Sequence, residues 1–535
     1  MKNKLIFLLL TNFVFFSCTS IKQPKEVFQP LDYSSEEIKN TEISRIQELK
    51  ITQPVKALWR AILLNEQNVI SECLELVKTQ YDDALSREDY FEAKSYYLSL
   101  KNAGWKFDKS EEEKINSLSA KDIPGFSQTN QKNPKNIKDC LNATVTIWVD
   151  RGIKIENGSG YADIVLGSGF FIDERGYIVT NHHVIESMVN PKYEGYSRLY
   201  IKLLSDPDTK IPAKVIGYDS KLDLALLKVE IKPEIILSLG SSSDLNIGDK
   251  ISVIGTPLGL EGTLTSGIVS ATERKLLTLG NVFQIDAAVN SGNSGGPLID
   301  EDLKVQAIVF AGILQYQGLN FAIPVEYLKQ ILPILYNGNE VIHSWIGAYG
   351  HTKRFSNKKI GLEIQYVMPG NSANLLGLKK GDVITKVENT KISSLEDLQL
   401  VLMAYQPGTI VKITYLKDGS EETTKIIYLE KRPESPSIEF FKTDLISGSF
   451  IPLFGLELTN SSSLSHKEYI VTDVIKGTTA DELNFSKNDK IKVHDVIFND
   501  ENSIVFAQIF AQRKKKGFLD VTMILSTSYD SPYYF

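Results

Sequence analysis

Between residues 138 and 337 the chain is built from short β-type runs: "TVTIWVD", "GSGFFID", "GYIVTNHHV", "LYIKLL", "LALLKV", "ISVIG" and "VQAIVFAGI". Gly, Asp and Asn turns break them at short intervals, so this stretch is expected to form an all-β barrel or sandwich. It cannot be the whole fold. At 535 residues the chain is too long for one core, and ordinary domain sizes predict about three or four. Apolar residues at 42% and charged residues at 23% belong to a globular chain rather than a disordered one.

The last third contains an internal repeat. "GNSANLLGLKKGDVI" begins at Gly370 and "GTTADELNFSKNDKI" at Gly477, an offset of 107 residues that aligns Ala373 with Ala480, Asp382 with Asp489 and Ile384 with Ile491. Upstream, "WIGA" (345–348) and "LFGL" (453–456) correspond within one residue. Two copies of one module are expected, at 341–432 and 436–535. The second is degenerate: Asn488 stands where the first has Gly381, and "NTKISSLEDL" has no counterpart. Asn tolerates positive φ, so the second copy is expected to keep its fold even if it has lost a binding role.

The beginning reads as an address. Lys2 and Lys4 precede an apolar run from Leu5 to Phe16, then Ser17 and Cys18; the run is shorter than the roughly 20 residues that span a bilayer. Residues 1–18 are therefore expected to be a secretory signal. A small residue before cysteine resembles the end of a lipoprotein signal, which implies acylation of Cys18 and a membrane anchor, although Phe15 stands where such signals usually carry Leu; the plain alternative is a cleaved signal with an incidental cysteine. Residues 19–48, polar and rich in Ser and Glu, are expected to be a tether. Residues 49–108 carry helical spacing, as at Leu85, Ala93, Tyr96, Tyr97 and Leu100. "ALSREDYFEAKSYYLSL" resembles a tetratricopeptide helix pair, but one match without stacking neighbours is better read as a helical spacer. Residues 109–137 read as a linker. Cys73 and Cys140 fall in different segments and receive no role. The net charge of −7, with "QRKKKG" as the only dense basic run, argues against a nucleic-acid partner; that run is read as a solvated hairpin tip.

The candidate chemistry lies in "DAAVNSGNSGGPLID", residues 286–300, where Ser294 stands among glycines. Glycines alone mark any turn. A serine nucleophile needs a base within hydrogen-bond reach, and of six histidines only His182 and His183 lie in the β-rich stretch. Strand alternation would put their side chains on opposite faces, so one of them is available to a cleft. Adjacent histidines make a poor metal pair, and no Cys or carboxylate cluster accompanies them, so neither metal nor cofactor is expected. The third member should be a buried carboxylate. Asp206, Asp208 and Asp219 occur in turn-like sequence, whereas Asp223 opens "DLALLKV" on the side of Ala225 and Leu227, which makes it the best candidate. "GNSGG" also satisfies G-x-S-x-G, but that hydrolase elbow is followed by a helix and by the order Ser, acid, His. Neither holds here.

Taken together, "GSGFFID", "GYIVTNHHV", "DLALLKV", "VIGTPLGLEGTLTSGIVSATER", "DAAVNSGNSGGPL" and "FAIP" resemble, in order and spacing, the HtrA/Deg serine proteases. These are trypsin-like enzymes followed by one or two PDZ domains. The resemblance is strong from 138 to 432 and weaker to 535. It implies a double β-barrel protease domain preceded by the small α-helical region and followed by two PDZ-like domains of β-rich α+β type. Residue by residue it makes His183 the base, Asp223 its orienter and Ser294 the nucleophile, with the amides of Gly292 and Ser294 as oxyanion hole. Val289 and the segment Leu319, Asn320, Phe321 and Ala322 would wall an apolar primary pocket that takes aliphatic residues, although the family more often has glycine where Asn320 stands. "WIGA", Trp345, Ile346, Gly347 and Ala348, resembles the PDZ loop whose amides capture a peptide carboxylate. The loops "AAVNSGN" and "GILQYQGLN" are expected to switch between inactive and active states.

The implied protein is an ATP-independent endoprotease of the periplasm or cell envelope, held there through Cys18. It would degrade unfolded or misfolded exported proteins, engage peptide C-termini, and assemble as a homotrimer or larger homo-oligomer. The alternative is a lipid-anchored scaffold or holding chaperone with a vestigial triad.

Overall fold

The computed structural model describes residues 21–29, 33–117, 123–125, 132–156, 158–256, 262–312, 319–461, 467–513 and 519–535. The signal and Cys18, the basic run at 514–518 and most of "GILQYQGLN" lie outside them. The chain divides into two compact units, one built mainly from residues 31–367 and 371–432, the other mainly from 433–534.

The larger unit begins with five helices: α1 (Glu36–Thr52), α2 (Pro54–Leu64), α3 (Gln67–Ser86), α4 (Tyr90–Asn102) and α5 (Lys109–Ser117). Two expectations are corrected here. Residues 36–48 of the supposed tether belong to α1, and the supposed linker starts with α5. The composition of α1 conceals it, because Ile46 is its one fully buried apolar side chain and its other buried residue is Glu42. Glu42 forms a two-pronged ion pair with Arg60 of α2, one contact being Arg60 Nη2 to Glu42 Oε2 at 2.8 Å. Both side chains are almost wholly buried. Removing one partner strands a charge in the interior, at a cost of about 3–5 kcal/mol. Arg60→Ala is therefore expected to lower amide-exchange protection of α1 and α2 by about 100-fold or more. Protection equal to the unaltered protein would show that the pair holds nothing together.

Nor are the helices a spacer. Trp59 Nε1 donates to the Ile426 carbonyl at 3.0 Å, Ser99 Oγ accepts from Ile410 N at 2.9 Å, and Asn102 Nδ2 donates to Ile410 O at 2.9 Å. All three bind strands of the first repeat module, more than 300 residues downstream.

A short helix, α6 (Ile137–Asn142), leads into two six-stranded barrels. The first comprises β1 (Thr144–Glu156), β2 (Ser159–Asp173), β3 (Tyr177–Thr180), β4 (Arg198–Leu203), β5 (Asp206–Asp219) and β6 (Leu224–Val229), in the order β5-β4-β1-β2-β3-β6 and closed by β5 pairing with β6. The second comprises β7 (Lys250–Gly255), β8 (Thr263–Arg274), β9 (Val282–Ile285), β10 (Pro297–Ile299), β11 (Val305–Gly312) and β12 (Asn320–Pro324), closed as β10-β11-β12-β9-β8-β7. The unbroken apolar runs of β2 and β6 have one cause: both strand faces are buried. Phe171, Ala225, Leu227 and Val229 fill the first barrel. Phe170, Ile172, Leu224 and Leu226 face outward into a second cluster shared with Ile254, Ile299 and Ile308 of the other barrel. Cys140 belongs to that cluster, and burial pushes its thiol up to about 12; with Cys73 it is free and buried.

The first repeat module closes the larger unit with strands Ala348–Phe355, Lys358–Val367, Val383–Val387, Ile410–Lys417 and Glu421–Tyr428, in that order across the sheet, and helices Ser372–Leu376 and Leu395–Met403. The smaller unit repeats the plan with strands Leu456–Asn460, Glu468–Val474, Lys490–Asn499, Ile504–Arg513 and Leu519–Ser528. The correspondence reaches single hydrogen bonds. Gly381 N donates to Ile364 O and Ile364 N to Asp382 O; 107 residues on, Asn488 N donates to Val471 O and Val471 N to Asp489 O. Asn488 holds φ +73°, where Gly381 holds +95°. The second copy connects its third and fourth strands by a tight turn, so the helix Leu395–Met403 has no counterpart.

Candidate active site

The two adjacent histidines do not continue a strand. Asn181 ends the run of β3 and the chain turns at once into a helix, α7 (His182–Val189), so the expected alternation is replaced by helical rotation, which separates neighbouring side chains by about 100°. His182 turns inward and stacks on Tyr218, ring centres 5.2 Å apart, and burial holds its pKa below the usual histidine value. His183 is the exposed member.

His183 meets Asp223 twice. The ring Nδ1 lies 2.7 Å from Asp223 Oδ2, and the His183 main-chain N–H donates to Oδ1 at 2.8 Å. Asn181 Nδ2 donates to the Asp223 carbonyl at 2.8 Å, which ties the acid's backbone to the start of α7. Asp223 is not in the strand but one residue before it, at φ +55°. That left-handed turn aims the carboxylate at α7 instead of along the face of Ala225 and Leu227. The side chain retains 15% exposure, so it is half-sheltered rather than dry. The fully dry acid is Asp219, at the end of β5: its Oδ1 accepts from Lys221 N and Leu222 N, and its Oδ2 stands 2.9 Å from His343 Nε2. Burial alone would select Asp219; the hydrogen bonds to His183 select Asp223.

Ser294 sits in the turn before β10, half-buried. Its carbonyl accepts from Ser168 N at 2.7 Å, and Gly295 N donates to Val309 O at 2.7 Å. Gly295 holds φ +85°, and a Cβ there would stand 2.2 Å from the Ser168 carbonyl and 2.3 Å from Thr180 Oγ1; only glycine fits. The same packing brings the elements together. A Cβ on Gly167 of β2 would lie 2.7 Å from the Val184 side chain, next to His183, and 3.2 Å from the Ser294 carbonyl. The serine turn and the first turn of α7 thus rest on one glycine. Among the described residues, Ser294 Oγ makes its hydrogen bond to the Phe310 carbonyl, at 3.4 Å, and none to His183. A hydroxyl so weakly held turns about its Cα–Cβ bond at little cost. Gly292 is buried at φ +100°.

The expected pocket residues scatter more. Val289 and Ala322 lie in the core of the second barrel with Ile285, Phe283 and Val309. Asn320 is buried and its amide donates to the Ala287 carbonyl at 2.8 Å, which explains a polar residue where glycine was expected: it braces the segment before Val289. Phe321 is buried and Leu319 half-buried.

In the first repeat module, Gly347 holds φ +82°, and a Cβ there would strike the Asn371 side chain at 2.3 Å. The loop is not empty. Gly347 N and Ala348 N both donate to the Phe535 main-chain oxygen, at 3.1 and 2.9 Å, and Phe535 N donates back to Ala348 O at 3.0 Å. Phe535 thereby extends the free edge of strand Ala348–Phe355. Trp345 and Ile346 are buried.

Residues 167–308 match the model of a trypsin-like peptidase domain, 352–427 a PDZ domain, 437–529 the TP0546 family PDZ domain, and 37–121 a domain of unknown function, DUF8517. A probable periplasmic serine endoprotease, DegP-like, of Bartonella henselae is 36% identical over 332 residues, 59% of this chain and 63% of that protein. One of the same description from Chlamydia muridarum is 34% identical over 270 residues, 48% of this chain and 52% of the relative. The chain thus spans between half and two thirds of these relatives. Among solved structures, the HtrA-type protease AlgW with decapeptide is 25% identical, with a TM-score of 0.44 over 55% of this chain and 96% of that one.

Proposed function

The chain belongs to the HtrA/Deg family, trypsin-like peptidase domains followed by PDZ domains, and from that premise we propose that it is an exported serine endoprotease acting on unfolded proteins through His183, Asp223 and Ser294. The observation that carries the reading is the double grip of Asp223 on His183, through ring and main chain at 2.7 and 2.8 Å, with the serine turn packed on the same glycine as α7. An acceptor at Nδ1 keeps that nitrogen protonated, so Nε2 carries the free lone pair that a base needs.

The chemistry is acyl transfer. Ser294 Oγ rotates from Phe310 to His183 Nε2, gives up its proton there and attacks the scissile carbonyl carbon. The amides of Gly292 and Ser294 receive the charge on the tetrahedral oxygen. The C–N bond breaks as His183 returns the proton to the leaving amine; water then repeats the sequence on the acyl-enzyme. No step calls for ATP. The names of the relatives support a periplasmic location, and the lipobox-like end of the signal supports an anchor at Cys18. Apolar Val289 and Phe321 support a preference for aliphatic residues before the cleaved bond. Peptides released from reduced, unfolded casein and sequenced by mass spectrometry test this: the new C-termini are expected to be Val, Ile, Leu or Ala. A majority of Lys and Arg would contradict it.

The loop Trp345–Ala348 is read as a peptide site that works by strand addition. Phe535 supports that reading, since its main chain already pairs there in the manner a ligand would. A site occupied from within binds other peptides in proportion to the fraction of time it stands open. Phe535→Asp, which sets a charge where the side chain is 1% exposed, is expected to tighten binding of a fluorescent peptide with an aromatic C-terminus by about tenfold or more. Unchanged affinity would mean that Phe535 does not compete for the loop.

A further inference from the structure

Ser168, in the "GSG" of β2, is completely buried, yet every polar atom it has is engaged, and two of its bonds go to the serine turn. Its Oγ donates to the Gly292 carbonyl at 2.6 Å, and its main-chain N–H donates to the Ser294 carbonyl at 2.7 Å. The hydroxyl also accepts from Thr256 N at 2.9 Å and lies 3.2 Å from Thr256 Oγ1. The Ser168 carbonyl takes the Thr180 hydroxyl at 2.7 Å. Ser168 belongs to the first barrel and Thr256 follows β7 of the second, so Thr256 holds Ser168 from the other barrel while Ser168 holds the turn.

The two carbonyls that Ser168 grips belong to the peptide planes on either side of the 293–294 peptide. The carbonyl of that middle peptide is itself taken by Gly296 N at 2.9 Å. With its flanking planes pinned, the Ser294 N–H has one direction open to it. We propose that Ser168 is a positioning residue: its hydroxyl, through the Gly292 carbonyl, aims the amides that receive the oxyanion. It touches no reacting atom. The inference rests on the serine-peptidase reading and adds to it a residue that acts only through the turn.

The hydroxyl matters more than the space it fills. Ser168→Ala leaves the main-chain bond to Ser294 intact, frees the Gly292 carbonyl, and lets the turn relax away from the geometry of the transition state. A misplacement of this kind costs about 10- to 100-fold in turnover, less than outright loss of a donor.

The test uses the full chain and a chromogenic peptide ester, with active sites counted by fluorophosphonate titration so that a partly unfolded sample does not count as slow enzyme. Ser168→Ala is expected to lower kcat per titrated site by about 10- to 100-fold with KM within about twofold, and to weaken inhibition by a peptide aldehyde, which mimics the tetrahedral state, by the same factor. Ser168→Cys, which keeps the volume and a weak donor, is expected to fall between. Thr256→Val, which removes only the hydroxyl at 3.2 Å and leaves the Thr256 amide on Ser168, is expected to turn over as the unaltered protein does. Turnover per site equal to wild type in Ser168→Ala would overturn the proposal while leaving the protease reading intact. So would an equal loss in Thr256→Val, which would assign the effect to packing. An unaltered protein that neither hydrolyses the ester nor takes the label would sink the protease reading, and this proposal with it.

Discussion

Ser294→Ala is expected to lower casein cleavage by about six orders of magnitude in kcat, the loss found where a serine nucleophile is removed from a working triad. What survives is the small acceleration that an oxyanion hole and substrate binding supply by themselves. The fold should hardly notice. Ser294 is kept in place by its main chain, through the bond from Ser168 N to its carbonyl and the neighbouring bond from Gly295 N to Val309 O, both 2.7 Å. Its hydroxyl contributes one long contact of 3.4 Å to Phe310, so the substitution removes the reacting atom and little else. Cleavage that persists undiminished in Ser294→Ala would put the nucleophile elsewhere. If the unaltered protein never cleaves casein but keeps it from aggregating, the scaffold alternative is the right one.

Asp223→Asn is expected to cost about four orders of magnitude in kcat, and the geometry explains why so small a change should act so strongly. The carboxylate uses both oxygens, Oδ2 on the ring and Oδ1 on the main-chain N–H of His183. An asparagine can satisfy the N–H with its carbonyl oxygen, but its amide then faces Nδ1 as a donor. The imidazole must answer by accepting there, which moves its proton to Nε2, the atom that has to take the proton of Ser294. The base is present, correctly placed, and in the wrong tautomer. Backbone strain does not confuse the result, because Asp223 sits at φ +55° and Asn enters that region as readily as any residue but glycine. Turnover within tenfold of the unaltered protein would remove Asp223 from the mechanism.

Much of the architecture could be read beforehand wherever a local pattern was enforced by a local cause. The β runs of residues 138–337 appear as twelve strands in two barrels, and the repeat survives down to equivalent hydrogen bonds, with Asn488 taking the positive φ of Gly381. What escaped depended on partners distant in sequence. Helix α1 was hidden because its buried acid, Glu42, looks like a surface residue until Arg60 is seen beside it. The helical region resembles a spacer in sequence because its fixing bonds go to a strand three hundred residues away.

The candidate site divides in the same way. Ser294 and the order of its partners were visible in the motifs, but the local conformation of those partners was not. "TNHHV" continues a β-type run, yet Asn before an apolar helical pattern is a usual start signal, and it is that signal which α7 obeys. Dryness, the property for which the sequence favours Asp223, belongs to Asp219. Asp223 is where it is because of a left-handed turn that nothing in "KLDLALL" announces, since Asp is only mildly enriched there. Ser168 had one clue, a polar residue between two glycines inside a run otherwise buried on both faces.

On the proposed reading a hydroxyl, an imidazole and a carboxylate from three separate stretches of chain form one reactive group. The most direct measurement is to treat the purified protein with a fluorophosphonate, which reacts only with an activated serine, and to locate the adduct by peptide mass spectrometry. One adduct per chain, on Ser294, formed quickly in the unaltered protein and orders of magnitude more slowly in Asp223→Asn, is the predicted result. No adduct at Ser294, or an adduct on another hydroxyl in a preparation that is cleaving casein, would contradict it.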